Sequence, residues 1–521
     1  MITGKMRLKR KSKTFIGKDR RSYRSRRKAP RLIVRGNLFD ESALLRSHAC
    51  EITCEIVELT NQTAKLRISS PPIDGEKVVL LFRMFDRDME SKSTVAAINE
   101  NSHITVVFDM PLDISEFPPD ALSAADRRQS LTVFDEAVKF SHRVQEWKNK
   151  EYYHYHRRDE GNQSKVVDFT SNDYLGLSKD QRILEAAEKI IRISGLGTAG
   201  PSIFSGNRSS HDRLAESLAS YKGMESCLLC PSGFTANSGV FTGLIQRLGA
   251  VVFLDEKDHA SIFHGAMASS AKLKMFQHNN MEDLEKKLSQ YELTAPKVIC
   301  VDGVYSMDGD LAPLDRIYTL AKKYKASLWV DDAHSFGIFG KDGSGIETHF
   351  GLKGKIDIVT GSLSKALGGF GGYVCAPKAI TEYLDHLGRE FVYTTTLPEV
   401  ICAGLSEGIR ILKEDSSLSR KKLWENTKYM YECLNRFGFP IGPTESPIIP
   451  LIFGHETTTQ RFAQEVYKRG VFVNSVTRPA VRRDEARVRI GVRSTHTREQ
   501  IDFAINQFVA VAKELKMSFL R

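Results

Sequence analysis

"LDRIYTLAKKYKASLWVDDAHSFG", residues 314–337, is the stretch that decides the fold. A helical segment, "LDRIYTLAKKYKA", runs into a short apolar segment, "SLWV", which stops on the polar group "DDAH". The same texture recurs on both sides of it, from about Leu131 onward. "DRLAESLASYKG" (212–223) reads as helix, while "AVVFLD" (250–255), "KVICVDGV" (297–304) and "KIDIVTGSLS" (355–364) read as strands. Strand–helix–strand alternation implies right-handed crossovers and a mostly parallel sheet with helices on its faces, an α/β fold. Beyond about Ile401, helices and short strands end in "ARVRIGV" and a last helix, which suits a smaller α+β domain.

In an open α/β sheet, functional groups gather at the carboxyl ends of the strands. Here those ends are unusually polar. Asp331 and His334 follow one apolar run; Asp302, Ser306 and Asp308 follow another; Asp255 and His259 a third; Ser362, Ser364 and Lys365 a fourth. One such residue has an ordinary structural reading, because a strand-end Asp caps helices and a lone His is usually a satisfied core group. Four ends of this kind in one sheet point to a site.

Lys365 stands in "GSLSKALGGFGG" (361–372), among small residues that would let a ligand approach the backbone. Pyridoxal 5′-phosphate matches these parts. It needs a lysine amine for a Schiff base, an acidic partner for its ring nitrogen and donors for its phosphate. "CPSGFTANSG" (230–239) supplies a turn in which Ser232, Gly233 and Phe234 open a helical stretch.

At these residues the chain from about 165 to the end resembles the α-oxoamine synthase family of fold-type I pyridoxal-phosphate enzymes. That family includes 8-amino-7-oxononanoate synthase, 2-amino-3-ketobutyrate ligase, 5-aminolevulinate synthase and serine palmitoyltransferase. Nine stretches run in family order: "DFTSNDYLGLS", "GTAGPSIFSGNRSSHDRLAESLA", "PSGFTAN", "DHAS", "DGVYSMDGDLAPL", "VDDAHSFGIFG", "GSLSKALGGFGGY", "FVYTTTLP" and "RVRIGVRSTHT". The resemblance implies a seven-stranded major domain over 166–400 and a small domain over 401–521. It implies that Lys365 forms the Schiff base, Asp331 pairs with the ring nitrogen, and His334 bonds the ring hydroxyl with Ser306. His259 would stack on the ring. Ser232, Gly233, Phe234, Ser362 and Ser364 would hold the phosphate, with Thr394 and Thr395 reaching it from a neighbouring subunit of a homodimer. Asn172 and Arg489 would hold the carboxylate of an amino acid, which would condense with an acyl thioester, on coenzyme A or an acyl carrier protein. The product would be an α-amino ketone, with loss of CO₂ and thiol.

Three departures stand out. Ser202 occupies a glycine-rich position where members commonly carry Arg, and Asp302 and Asp332 replace glutamates. "GP-x-x-F-x-G" leans toward serine palmitoyltransferase-like members and toward serine, glycine or alanine as the amino acid. An aminotransferase or lyase on the same scaffold is the alternative with the cofactor kept. A cyclic-di-GMP-responsive regulatory protein is the alternative without catalysis.

The chain of 521 residues carries a net charge of +11, but residues 1–31 hold 14 of the 75 Lys and Arg against one Asp. The remainder is nearly balanced. Residues 1–25 therefore read as a basic disordered tail that could meet an anionic surface. Over 26–115, "ITCEIVELT", "AKLRIS", "KVVLLFRMF" and "ITVVFDM" read as short strands of a small β-barrel. A proline-broken linker and a helix fill 116–165. The barrel resembles a PilZ domain, whose R-x-x-x-R motif is met by Arg27 and Arg31. Its second motif would align with "ELTNQT", where Glu58, Thr60 and Thr63 all depart. The resemblance implies cyclic di-GMP as ligand; an interaction or dimer-stabilising module is the alternative. Eight scattered cysteines without zinc spacing suggest buried thiols in a cytoplasmic protein and no metal. No segment approaches the length of a membrane helix.

Overall fold

The computed structural model describes seven strands between Arg31 and Phe108, residues 141–142, and residues 166–519 except 415 and 479. For the seven strands the description covers backbone only. The basic tail 1–25, Arg27 and the linker 116–165 (save 141–142) lie outside the described residues, and Arg31 is described by its backbone alone. The chain divides into two compact units at Trp147/Lys148.

In the first unit, β1 (Arg31–Asn37), β2 (Ala43–Arg46), β3 (Glu51–Leu59), β4 (Thr63–Ile68), β5 (Lys77–Met84), β6 (Arg87–Ile98) and β7 (His103–Phe108) form a closed barrel. Its strand order is β1-β2-β3-β4-β7-β6-β5, closed by a parallel β1–β5 pair. Four of the seven fall on runs rich in Val, Ile and Phe. β6, "RDMESKSTVAAI", is too polar in its first half to be read from composition, and that half is recruited by pairing with β5 from Arg87 to Thr94.

The second unit holds a short β8 (Val167–Asp168) and a seven-stranded sheet. The sheet comprises β9 (Ser226–Cys230), β10 (Val251–Asp255), β11 (Lys272–Phe276), β12 (Lys297–Asp302), β13 (Ser327–Asp331), β14 (Ile358–Ser362) and β15 (Gly372–Ala376), in the order β11-β10-β12-β13-β14-β15-β9. The pairs from β11 to β14 are parallel, and β15 alone runs against its two neighbours. The mostly parallel seven-stranded sheet expected from sequence is therefore present.

Residues alternate across each strand, so one strand serves two cores. Phe253, Ile299, Val301, Leu328, Val330 and Val359 join the larger core on one face. Val252, Leu254, Cys300, Trp329 and Ile358 join a second core on the other. Burial on both faces is why these strands read as unbroken apolar runs. In the decisive stretch, the helix Leu314–Tyr324 puts Leu314, Ile317, Leu320 and Ala321 into the larger core. It stops at Lys325, whose left-handed φ of 51° lets its N–H reach back to Ala321 and Lys322 carbonyls.

The smaller domain carries β16 (Ile448–Gly454), β18 (Asn474–Val476) and β19 (Ala486–Gly491) as an antiparallel sheet ordered β16-β19-β18. Its core does not start at residue 401. The helix Glu399–Glu414 buries Cys402, Leu405, Ile409 and Leu412 in the larger core, because its apolar stripe faces that way. Phe169, far earlier in sequence, packs in the smaller core, and β8 pairs with β17 (Val471–Phe472). The chain thus crosses both domains on either side of the strand ends, and Asn172 and Tyr174 are carried along.

Candidate active site

The register aligns the polar strand ends. Asp302 at the end of β12 lies opposite Asp331 at the end of β13, which lies opposite Thr360 on β14. Around them opens a cleft. It is lined by Asp302, Asp331, His334 and His259, and by Ser232, Gly233 and Phe234 with Ser362, Ser364 and Lys365.

One corner is built for an anion. The helix Gly233–Val240 begins there, and the Ser232 hydroxyl caps it by accepting from the Thr235 N–H at 3.1 Å. The first N–H groups of a helix have no partner within it and carry partial positive charge. Ser362 and Ser364 add hydroxyls 2.7 Å apart. A Cβ at Gly233 would stand 3.2 Å from Ser362 Cβ, so a larger residue would narrow the corner.

The other small residues serve a different end from the one expected. A Cβ at Gly372 would meet the Ser232 carbonyl at 2.3 Å, and one at Gly368 would meet the Ser178 N at 2.3 Å. Gly368 also has a φ of +65°. These glycines let segments of this chain's own backbone close on each other around Lys365, and no ligand is needed to explain them.

Asp331 is buried, and both its oxygens are engaged. Oδ1 accepts from the Ala333 N–H at 2.9 Å and Oδ2 from Asn237 Nδ2 at 2.6 Å. Lys365 is half-buried, and among the described residues no hydrogen bond or ion pair holds its Nζ. Burial lowers its pKa to about 8; the negative charges of Asp331 and Asp302 oppose the shift and Arg489 adds to it. Burial also raises Asp302 well above the carboxylate range, with the Asp331 charge acting in the same direction, and Asp302 Oδ1 has no hydrogen-bond partner.

His334 is buried and held well below its ordinary pKa, first by burial and then by Lys365 and Arg489. Its Nδ1 lies 2.8 Å from the Tyr174 hydroxyl. The phenol can donate to that nitrogen or accept from it, and it also reaches Asn172 Oδ1 at 3.3 Å. The pKa of His259 is lowered by its withdrawal from water, against the pull of Asp331.

Arg489 donates from Nε to the Ser306 carbonyl at 2.6 Å and from Nη2 to Asn172 Oδ1 at 3.1 Å. Asn172 and Arg489 are thus brought together. The Ser306 carbonyl anchors Arg489. Ser306, Asn172, Arg489, Thr394 and Thr395 are not among the residues that line the cleft, and the backbone at Thr395 bridges Pro201. The sequence reading passed over Asn237, Tyr174, Thr360 and Trp329. Asn237 and Tyr174 sit inside quoted motifs, yet nothing in a linear motif says that a helix Asn meets a strand-end carboxylate.

Among the described residues no group of three or more His, Cys, Asp or Glu could hold a metal ion. The groups present do fit pyridoxal phosphate: an unengaged amine with a lowered pKa, a carboxylate held as an acceptor, and an anion corner of hydroxyls at a helix start. A sheet of this order with this cleft at its strand ends defines a fold-type I pyridoxal-phosphate transferase.

Known proteins agree. The profile of the family "Aminotransferase class I and II" matches residues 164–508. The chain is 42% identical over 353 residues to 8-amino-7-oxononanoate synthase of Thermoanaerobacter pseudethanolicus, covering 68% of this chain and 89% of that protein. It is 38% identical to 8-amino-7-oxononanoate synthase 1 of Bacillus subtilis, covering 68% and 90%. Among solved structures, Sphingomonas wittichii serine palmitoyltransferase superposes with a TM-score of 0.70 at 25% identity, covering 74% of this chain and 99% of that one. A serine palmitoyltransferase from S. paucimobilis gives 0.65 at 29% identity, covering 67% and 88%. This chain belongs to the aminotransferase class I and II family, and within it to the α-oxoamine synthases, pyridoxal-phosphate-dependent C-acyltransferases. Among the described residues, no helix is long and apolar enough to cross a membrane.

Proposed function

We propose that the protein condenses a small amino acid (serine, glycine or alanine) with an acyl thioester, releasing CO₂ and the free thiol and leaving an α-amino ketone. The observation that carries this is the meeting of Lys365, Asp331, His259 and His334 in one cleft with an anion corner. When bound, pyridoxal 5′-phosphate supplies an aldehyde for an amine and an electron sink for charge left at the amino acid's α-carbon.

The chain's own groups do the rest. Lys365, with a pKa of about 8, is neutral often enough near neutral pH to take a proton from the α-carbon and return it. Asp331, an acceptor at both oxygens, holds a proton at the ring nitrogen. His334 would stand by the ring hydroxyl, and His259 would cover one ring face. The helix start at Gly233 and the hydroxyls of Ser232, Ser362 and Ser364 hold the phosphate. Arg489, steadied by Ser306 and Asn172, would offer its remaining Nη1 hydrogens to the substrate carboxylate.

A homodimer fits the same geometry. The segment around Pro201 pairs with that around Thr395, and together they expose Phe204 (83%) and Tyr393 (81%). A second copy would cover these side chains and bring Thr394 and Thr395 to its partner's phosphate corner.

The test is an absorbance titration of the cofactor-loaded protein with serine, glycine, alanine and threonine, followed by CO₂ release with acyl-coenzyme A or acyl carrier protein. A saturable spectral change with one amino acid, and CO₂ only when the acyl donor is present, is expected. CO₂ release without a donor, or keto acid formation, would replace this reading with a lyase or aminotransferase.

A further inference from the structure

We propose that Asn237 is a positioning residue that sets the Asp331 carboxylate and the His259 tautomer together, and that Thr360 and Trp329 dictate its orientation from inside the sheet. The inference rests on the reading of the cleft as a pyridoxal-phosphate site.

The indole N–H of Trp329 can only donate, and it lies 2.9 Å from Thr360 Oγ1. Thr360 therefore accepts there, and its single hydrogen goes to the other neighbour, Asn237 Oδ1 at 2.7 Å. That fixes which end of the Asn237 amide is oxygen. The amide nitrogen then has two hydrogens to place, and two acceptors stand within reach: Asp331 Oδ2 at 2.6 Å and Ser261 Oγ at 2.8 Å. A flipped amide would set its oxygen against the Asp331 carboxylate and leave the Thr360 hydrogen facing a donor.

From Ser261 the direction passes on. Its oxygen accepts from Asn237, so its hydroxyl hydrogen goes to His259 Nδ1 at 2.7 Å. The Ser261 backbone N–H also points at that nitrogen, at 3.2 Å. His259 Nδ1 is an acceptor twice over, and the ring proton sits on Nε2. All members of this chain except His259 are buried, with Asn237 at 1%, Ser261, Thr360 and Trp329 at 0%. A buried polar group with one of its partners removed costs far more than an exposed one. One amide thus holds Asp331 as an acceptor-only carboxylate and His259 as one tautomer.

Thr360 is the position to test, because it lies outside the cleft wall and its hydroxyl, held by the Trp329 indole, reaches the cleft through Asn237. Thr360→Val keeps the shape and removes the hydroxyl; Thr360→Ser keeps the hydroxyl and leaves a small void. The readouts are the dissociation constant for pyridoxal 5′-phosphate on the stripped protein and the ¹⁵N spectrum of its histidine rings, with His259→Gln assigning the signal. Thr360→Val is expected to weaken cofactor binding roughly tenfold and to populate the Nδ1–H form of His259, while Thr360→Ser stays within about twofold of wild type. A packing role predicts the reverse order, and a Val variant that matches wild type overturns the proposal. Should Thr360→Val not fold, Asn237→Asp has the same outline without the donors. It is expected to lose at least as much affinity, and unchanged affinity in a folded protein overturns the proposal equally. Wild type that binds no cofactor would refute the reading of the site, while the ring spectrum would still decide the tautomer.

Discussion

The Tyr174 hydroxyl stands 2.8 Å from His334 Nδ1, and the same hydroxyl lies 3.4 Å from Arg489 Nη2. One buried phenol thus links the proposed partner of the ring hydroxyl to the proposed carboxylate fork. Tyr174→Phe keeps the ring in the larger core and deletes only the oxygen. Stability should fall little, by about 1 kcal/mol. The KM for the amino acid should rise several-fold and kcat should fall by roughly tenfold, as both His334 and Arg489 lose a fixed partner. Steady-state kinetics and a thermal melt check this together.

The lowered pKa of Lys365 has a sign that can be read directly. The neutral amine captures the cofactor aldehyde, so capture by stripped protein should speed up as pH rises through about 8 and then level off. Arg489 is one of the charges pushing the Lys365 pKa down. Arg489→Gln should move the midpoint upward, and stopped-flow absorbance across pH would show it. A midpoint above 10 in wild type would mean that the amine is not buried as the structure has it.

How much of this was legible in sequence depends on what the signal needed. Strand ends such as Asp331 and Ser362 stood out because buried strands are apolar and their polar stops are conspicuous. Lys365 stood out against its small neighbours, although those glycines proved to accommodate backbone at Ser232 and Ser178. The partners that hold these groups were invisible. Asn237 meets Asp331 only because a helix crosses the end of β13, and Thr360 meets Asn237 only through strand register. Charge-conserving swaps such as Asp332 hid a structural role: it is buried and paired with Lys222 at 2.5 Å, and it does not line the cleft. The strand β6 was missed because its first half carries charge that composition assigns to a loop.

That buried cluster makes its own prediction. Lys222 is fully buried between Asp332 and Glu347, and Tyr373 donates to Asp332 at 3.1 Å. Lys222→Met would leave two carboxylates without their cation and should destabilise the protein by about 3–5 kcal/mol in a denaturant titration. Burial raises the Glu347 pKa to about 7, above its ordinary value of 4.5. The native state therefore binds more protons than the unfolded chain between those values, and this group's contribution to stability is lost as pH rises through about 7. Glu347→Gln removes that dependence. The variant should compare better with wild type at pH 8 than at pH 5.

The apolar lip near the glycine-rich segment tests the shared site. The Thr396 N–H donates to the Gly200 carbonyl at 3.3 Å and Thr395 bridges Pro201, so the Thr394–Thr396 segment is tied to the start of the Ser202–Gly206 turn. Phe204 projects from that turn almost fully exposed. Phe204→Glu places a charge where a second copy would bury an aromatic ring, at a cost far above that of an exposed substitution. On the proposed shared site, the variant should keep its helical content, elute as a monomer, and bind pyridoxal 5′-phosphate at least tenfold more weakly, because Thr394 and Thr395 would no longer reach a partner's phosphate corner. Size-exclusion chromatography with light scattering, read alongside a cofactor titration, separates the outcomes. A monomer that binds the cofactor as tightly as wild type would show that each chain completes its own phosphate site. A dimer unaffected by the charge would place the interface elsewhere on the surface.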